Sequence, residues 1–126
     1  GGDQTAPSYT ENAMAPLLRT QDLGSYRAML HDTDESATEP LAAPLRAPAL
    51  SGLPPAFIVS ADVDPLRDDA RDYAQRLNAA GVPAQWRNEP QLVHGYLRAR
   101  RTSDRARRSF SAIIAAIERM RSAAPV

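Results

Sequence analysis

A short apolar run, AFIVSA at residues 56–61, constrains the fold of this chain more than any other feature. A strand that is apolar on both faces is typical of the interior of a parallel sheet, where helices cover both sides. Such a strand needs a neighbouring strand on each edge. The run therefore predicts a layered α/β sheet, and the other elements show how much of that sheet this chain supplies.

Three further elements are predicted after this run. Apolar residues recur at helical spacing over about residues 67–80, and Gly81 and Pro83 mark the end of that helix. Residues 84–89, AQWRNE, alternate between polar and apolar, which favours a strand near the sheet edge, and a long helix is predicted over roughly 103–122. This order implies a right-handed crossover between two parallel strands. Because two strands do not form a stable sheet alone, we expect the C-terminal part of a larger α/β sheet.

Residues 1–55 have a different composition. One helix is predicted, over about residues 20–30, and the remainder is predicted to be extended loop because proline disfavours helix interiors. A loop of this length is unusual inside a compact domain, so we expect it to cover a site. Seven of the chain's 11 prolines lie in this segment: Pro7, Pro16, Pro40, Pro44, Pro48, Pro54 and Pro55.

Composition excludes several classes of function. The formal net charge is zero, which argues against charge-driven binding to nucleic acids or membrane surfaces. There is no cysteine, so disulfides, thiolate metal sites and thiol nucleophiles are excluded, and every basic residue is arginine, so lysine-dependent mechanisms are excluded too. No apolar stretch approaches the roughly 20 residues that span a bilayer. The start, GGDQTAPSY, does not resemble a signal peptide, so we expect a cytoplasmic protein.

Polar residues follow both predicted strands. Asp62 and Asp64 come after the first strand and His94 after the second. In open α/β sheets, ligands bind beyond the carboxyl ends of the strands, and adjacent strands lie about 4.8 Å apart. We therefore expect an acid to hydrogen-bond His94, fix its tautomer and stabilise the imidazolium during proton transfer. Gly95 would allow a sharp turn after His94, and Asp62 is expected to be structural, positioning the turn.

Three motifs stand out in the second half of the chain: DPLRDD at residues 64–69, AAGV at 79–82 and HGY at 94–96. They resemble one family, the α/β-hydrolases of the hormone-sensitive-lipase-like branch, which are carboxylesterases and their relatives. Upstream, SYTENAMAPLLRTQDL and PLAAPLRAPALSGLPPAFIVSA are also similar to that branch. Tyr96 replaces the usual Phe, and Asp69 the usual Glu. The resemblance implies a cap-contributing segment with a connecting loop, 1–55, and a C-terminal βαβα part of the hydrolase core, 56–126.

The same resemblance implies a catalytic site. Asp64 matches the family's triad acid and His94 its triad base. The family's nucleophile is a serine in G-x-S-x-G, and its oxyanion hole is an H-G-G-G loop. Neither motif occurs in this sequence. The implied function is hydrolysis of short or medium acyl esters, with the serine and oxyanion hole supplied by an N-terminal part outside this chain.

That implied function sets the expected partners. The chain is expected to be inactive alone and to need the N-terminal part that carries the serine. Its substrate is expected to be a small ester, without a cofactor, a metal, nucleic acid or a membrane, and a homodimer is compatible with this view. The alternative is a non-catalytic truncated fragment, or an interaction module that pairs through an exposed strand edge.

Single residues also have other interpretations. Asp64 before Pro65 fits a helix N-cap followed by proline in the first turn. A calcium loop is disfavoured because Leu66 occupies an oxygen-ligand position and Arg67 stands where glycine is needed. A strand followed by Asp-x-Asp also occurs in phosphatases of the haloacid dehalogenase type. Those enzymes normally have a small residue after the second aspartate, where this chain has Pro65. His31 is expected to be solvated.

The six arginines in RARRTSDRARR, residues 98–108, allow phosphate binding as one interpretation. No aromatic residue lies among them, and the chain is neutral overall. The favoured interpretation is therefore a solvated start of the C-terminal helix.

Overall fold

The structure, a computed structural model, describes residues 3–30 and 39–123. Two parallel strands, joined by a crossover helix and followed by a second long helix, form the main part of these ranges. No helix within them is both long enough and apolar enough to cross a bilayer. The elements in chain order are α1 (Pro7–Glu11), α2 (Thr20–Leu30), β1 (Ala56–Val63), α3 (Arg67–Ala79), β2 (Ala84–Val93) and α4 (Asp104–Ala123), with 3₁₀ turns at Pro44–Arg46 and Tyr96–Ala99.

Both strands continue beyond their predicted ends. The ladder runs in register from Ala56 opposite Ala84 to Ala61 opposite Glu89, and it resumes with Val63 opposite Val93. β2 therefore contains two more residues than β1 in this interval, which makes a bulge. Pro90 lies in the bulge, where a proline does not break the ladder because no donor is required from it. The polar alternation of the sequence stops at Glu89, so the prediction ended β2 too early.

The sheet packs against α3 on one face. A buried cluster joins Ala47 and Leu50 to Leu77 of α3 and to Val82, which precedes β2. The guanidinium of Arg76 donates to the backbone carbonyls of two residues before β1, Leu45 and Ala47. The proline-rich segment is thus fastened along α3 and brings its residues to the side of β1.

β1 is less buried than its composition predicts. Phe57, Ile58 and Val59 are each only partly buried, although an apolar run of this kind is typical of a strand enclosed on all sides. Within the described residues, β1 pairs with β2 alone. Its second edge and part of its apolar surface therefore face solvent in this structure.

Residues before β1 contain more regular structure than predicted. α1 and the 3₁₀ turn at Pro44–Arg46 both lie where extended loop was expected. Each begins with a proline in its first turn, where the absent N–H has no partner to lose. α2 has the predicted bounds, but none of its residues is buried, so it does not use its apolar residues for packing. His31 lies outside the described residues.

Candidate active site

The turn after β1 holds a buried carboxylate. Asp64 is 6% exposed, and its Oδ1 accepts the backbone N–H of Leu66 at 2.9 Å. This bond closes a local turn of the kind that aspartate side chains favour. The residue that caps α3 is Leu66, without a side-chain capping bond. Asp64 therefore lies in the turn that leads into α3, with one carboxylate oxygen bonded in that turn and the other left for a second partner.

His94 reaches this carboxylate from the end of β2. Its Nδ1 lies 2.8 Å from Oδ2 of Asp64. Gly95 follows with φ 71°, a left-handed conformation that glycine adopts without steric cost, and the chain turns away there. The structure thus brings together the two residues that the sequence predicts as acid and base. Their catalytic roles stay a prediction.

The contact with Asp64 determines which ring nitrogen of His94 is basic. An ionised carboxylate only accepts hydrogen bonds, so it favours the imidazole tautomer that carries its proton on Nδ1. Nε2 is then the basic nitrogen, and the side chain of His94 is 45% exposed whereas the side chain of Asp64 is 8% exposed. An accessible imidazole with a buried carboxylate behind it can accept a proton from a reacting group, and the carboxylate then stabilises the resulting imidazolium.

A cavity of about 470 Å³ adjoins the pair and is open to solvent. Both Asp64 and His94 line it, together with Ser60 and Tyr96. The remaining lining includes one further carboxylate, Asp69, and is otherwise mostly apolar: Ala43, Pro44, Leu45, Val59, Ala61, Leu66, Ala70, Tyr73 and Gly95. An apolar space of this size with a few polar groups at one end is typical of a small-molecule site.

Asp62 is bound to β2 and not to His94. Its Oδ1 accepts from Asn88 Nδ2 at 2.9 Å, and its Oδ2 accepts the backbone N–H of Gln91 at 3.2 Å. The bond from Asn88, followed by that from Gln91, holds the pKa of the Asp62 carboxyl below its usual value. Asp62, within β1, and Asp64, directly after it, thus have separate partners.

α1 holds the turn that carries both aspartates. Ser8 Oγ donates to the carbonyl of Pro65 at 2.7 Å and accepts the N–H of Asp68 at 3.2 Å. Asn12 Nδ2 lies 3.3 Å from the carbonyl oxygen of Asp62 and 3.2 Å from that of Asp64. Residues about 50 to 60 positions earlier in the chain therefore fix the backbone on either side of Asp64.

Asp68 is the buried anchor of this contact and is 1% exposed. It accepts from Ser8 N–H at 3.0 Å, from Arg67 Nε at 3.0 Å and from Arg71 Nη1 at 3.2 Å. Burial alone would raise the pKa of Asp68, but the bonds from Arg67 and Ser8 and the nearby charges outweigh it and lower the pKa. We therefore regard the Asp68 carboxylate as structural. Its bond to Ser8 fastens α1 to the start of α3, beside the Asp64 turn.

Sequence reasoning missed the residues of α1 that make these contacts. Besides Ser8 and Asn12, Tyr9 donates its hydroxyl to Asp69 Oδ2 at 2.9 Å, and burial and then the Asp69 charge raise the pKa of Tyr9. Polar side chains at helical spacing were the available signal. Their partners lie about 60 residues away, however, and no local pattern names them.

The acidic residues do not converge on one point. Within residues 3–30 and 39–123, no three His, Cys, Asp or Glu side chains are grouped as metal ligands. Arginines of the 98–108 run have intramolecular partners: Arg105 donates to Gln91 Oε1, Arg107 pairs with Asp104 at 2.8 Å, and Arg100 lies 5.4 Å from the Phe110 ring centroid. These contacts favour the interpretation of the run as the start of α4.

Comparisons with known proteins give the same family for most of the chain. A family model described as "alpha/beta hydrolase fold" matches residues 2–98. Carboxylesterase NlhH of Mycobacterium tuberculosis is 46% identical over 99 residues, which are 75% of this chain and 31% of that protein. Hormone-sensitive lipase of Ictidomys tridecemlineatus is 43% identical over 60 residues, which are 46% of this chain and 8% of that protein.

Solved structures agree with these sequence matches. The thermophilic carboxylesterase EstE1, cloned from a metagenomic library, superposes with a TM-score of 0.87 at 29% identity. The match covers 95% of this chain and 41% of EstE1. The chain therefore spans well under half the length of the relatives and structures that it matches.

Proposed function

The chain belongs to the α/β-hydrolase fold family, and from that premise we propose that it supplies the acid and the base of a Ser-His-Asp triad in a carboxylic ester hydrolase. The predicted fold class and the predicted resemblance to hormone-sensitive-lipase-like carboxylesterases are confirmed by the family match and the relatives. The observation that carries the proposal is the 2.8 Å separation between His94 Nδ1 and Asp64 Oδ2.

In the proposed reaction His94 acts through Nε2. It takes the proton of a serine hydroxyl as that oxygen attacks the carbonyl carbon of the ester, and Asp64 stabilises the imidazolium that forms. The tetrahedral intermediate collapses to an acyl-serine, and the imidazolium gives its proton to the departing alcohol. His94 then deprotonates water, which attacks the acyl-serine, and the proton returns to the serine oxygen as the carboxylic acid leaves.

The serine and the oxyanion donors would come from an N-terminal part outside these residues. Three observations support this. The sequence has no G-x-S-x-G motif, and the aligned region spans 31% of carboxylesterase NlhH. Among the described residues, β1 also has a sheet partner on one edge only, so a further strand can pair beside it.

The substrate would be a small ester with a short or medium acyl group. The cavity beside the acid–base pair is mostly apolar, and its volume of about 470 Å³ lies within the usual range for small-molecule sites. Residues 1–55 would contribute to a cap. α1 already rests on the Asp64 turn, and residues 43–45 line the cavity. No cofactor or metal has a part in this mechanism.

A second candidate function rests on the open edge of β1. Within the described residues this strand offers unpaired backbone groups along its second edge, and such an edge can accept a strand from another protein. The chain would then be a non-catalytic fragment or an interaction module. An interaction module would not need a hydrogen-bonded aspartate–imidazole pair that faces a cavity, so we rank this function second.

The test is reconstitution. The 126-residue chain is assayed with a short-chain nitrophenyl ester, alone and after mixing with the G-x-S-x-G-bearing N-terminal segment. We expect hydrolysis only from the mixture, and His94→Ala should abolish it. Glu118→Gln, a change to an exposed carboxylate on α4, is the matched control and should leave the rate unchanged. Hydrolysis by the chain alone at the level of intact esterases, or a mixture insensitive to His94→Ala, would refute the proposal.

A further inference from the structure

Asp62, near the end of β1, has no part in the proposed chemistry, yet its carboxylate bonds the segment of β2 that leads to His94. We propose that Asp62 is a positioning residue for His94: it fixes the bulge of β2 so that the imidazole meets Asp64. The inference rests on the proposed function for its kinetic consequence only. Its structural content concerns hydrogen bonds between β1 and β2.

The bulge is the reason that a positioning residue is needed. Ala61 lies opposite Glu89 and Val63 opposite Val93, so two extra residues of β2 must be accommodated just before His94. Gln91, within this interval, has φ 59°, a conformation that non-glycine residues rarely adopt. A backbone in this state persists only when its surroundings hold it.

Gln91 is held at two points. Its N–H donates to Asp62 Oδ2 at 3.2 Å, and its side-chain oxygen accepts from Arg105 of α4. Asp62 lies two positions before Asp64, and Gln91 lies three positions before His94. The carboxylate therefore ties the two strands together just before each of them delivers its member of the acid–base pair.

Asp62 also ends a hydrogen-bonded chain with a single direction. Trp86 Nε1, which can only donate, bonds Ser60 Oγ at 2.9 Å, so the Ser60 hydroxyl donates to Asn88 Oδ1 at 3.1 Å. That fixes the Asn88 amide with its NH₂ toward Asp62 Oδ1 at 2.9 Å. Both oxygens of Asp62 thus face donors.

This arrangement explains why a carboxylate and not an amide is required. Asparagine at position 62 would offer one acceptor and one donor, and its NH₂ would face a donor on Asn88 or on the Gln91 backbone. The consequence is an unsatisfied contact at the bulge and a displaced His94. Displacement of a reacting group by about 1 Å can lower a rate by about 100-fold.

The geometry suggests a compensating double variant. In Asp62→Asn combined with Asn88→Asp, the new carboxylate at 88 accepts from Ser60 and from the amide at 62, whose oxygen accepts Gln91 N–H. All donors are satisfied again, with the negative charge moved to the neighbouring strand. Recovery in the double variant shows that the two positions are coupled, and the single variant Asn88→Asp completes the cycle that measures the coupling.

The experiment compares Asp62→Asn, the double variant and the exposed control Glu118→Gln in the chain assembled with its N-terminal segment. We expect Asp62→Asn to lower kcat by about 10- to 100-fold with KM changed by less than about threefold, and the double variant to recover most of the loss. In ¹⁵N NMR of the same assemblies, the slowly exchanging Nδ1 proton of His94 should be lost in Asp62→Asn and return in the double variant.

Each outcome of this experiment either supports or overturns the positioning role of Asp62. Equal kcat and an equal His94 proton signal in Asp62→Asn and Glu118→Gln would overturn the inference, as would absence of that signal from the unmutated protein. If Asp62→Asn unfolds, a double variant that folds without recovering the signal overturns it. An unmutated assembly without esterase activity refutes the proposed function instead, and the proton signal then tests the positioning of His94 by itself.

Discussion

The hydroxyl of Ser8 offers the sharpest test of the contact between α1 and the Asp64 turn. Ser8→Ala removes one oxygen from a residue that is 0% exposed. Two backbone groups lose their partner: the carbonyl of Pro65, bonded at 2.7 Å, and the N–H of Asp68, bonded at 3.2 Å in the first turn of α3. The bond from Ser8 N–H to Asp68 is made by the backbone and remains available.

The size of the effect follows from these two groups. A buried donor or acceptor left without a partner costs about 1–3 kcal/mol. Pro65 and Asp68 are both buried, as is Ser8 itself. With partial relaxation of the weaker, longer bond, we expect a loss of about 2–4 kcal/mol in the free energy of unfolding.

Urea unfolding of the chain assembled with its N-terminal segment, followed by circular dichroism, measures this change as a shift of the midpoint at constant slope. Ser25→Ala makes the same chemical change at an exposed position of α2 and should change stability by no more than about 0.5 kcal/mol. If Ser8→Ala matches Ser25→Ala within that margin, α1 does not hold the turn in the way described.

Three further predictions concern the site. In the assembled enzyme Asp64→Asn should lower kcat by about 10⁴-fold, because the amide no longer selects the basic Nε2 tautomer; a loss below tenfold would contradict the assigned role. The lowered pKa values of Asp62 and Asp68 stabilise the fold fully above about pH 4, and that stabilisation is lost as pH falls through their folded-state pKa values. An acid titration followed by circular dichroism should therefore be flatter in Asp62→Asn, and an unchanged curve would contradict this linkage. Gly95→Ala should lower the free energy of unfolding by about 1–2 kcal/mol because the backbone at Gly95 has a φ of 71°. The cost comes from the backbone alone, since a Cβ there would meet no atom closer than 4.0 Å. Gly24→Ala within α2 should instead stabilise the fold in the same urea assay.

The parts of the fold that could be predicted are those that local pattern determines. An uninterrupted apolar run located β1, periodicity located α3, β2 and α4, and the order of these elements determined the parallel crossover. Because parallel strands end at the same edge of a sheet, topology predicted that an acid after β1 would meet His94, and the resemblance to the hydrolase family identified that acid as Asp64, as the structure has it. Roles and bonding partners needed more than periodicity.

Contacts between distant segments could not be predicted. α1 has only five residues and gains its stability from Asp68 and Pro65, far along the chain, so its own sequence reads as loop. β2 ends later than predicted for a similar reason. Asp62 accepts the N–H of Gln91, and the ladder continues to Val93 across a bulge. Both errors arise where a side chain from another element satisfies the backbone.

Labelling with a fluorophosphonate probe, located by mass spectrometry, tests the central claim most directly. We predict that the label appears on the serine of G-x-S-x-G in the N-terminal segment mixed with this chain, that the chain alone takes up none, and that His94→Ala suppresses labelling. A label on a serine of this chain, such as Ser60 beside the cavity, or labelling that is independent of His94, would contradict the account.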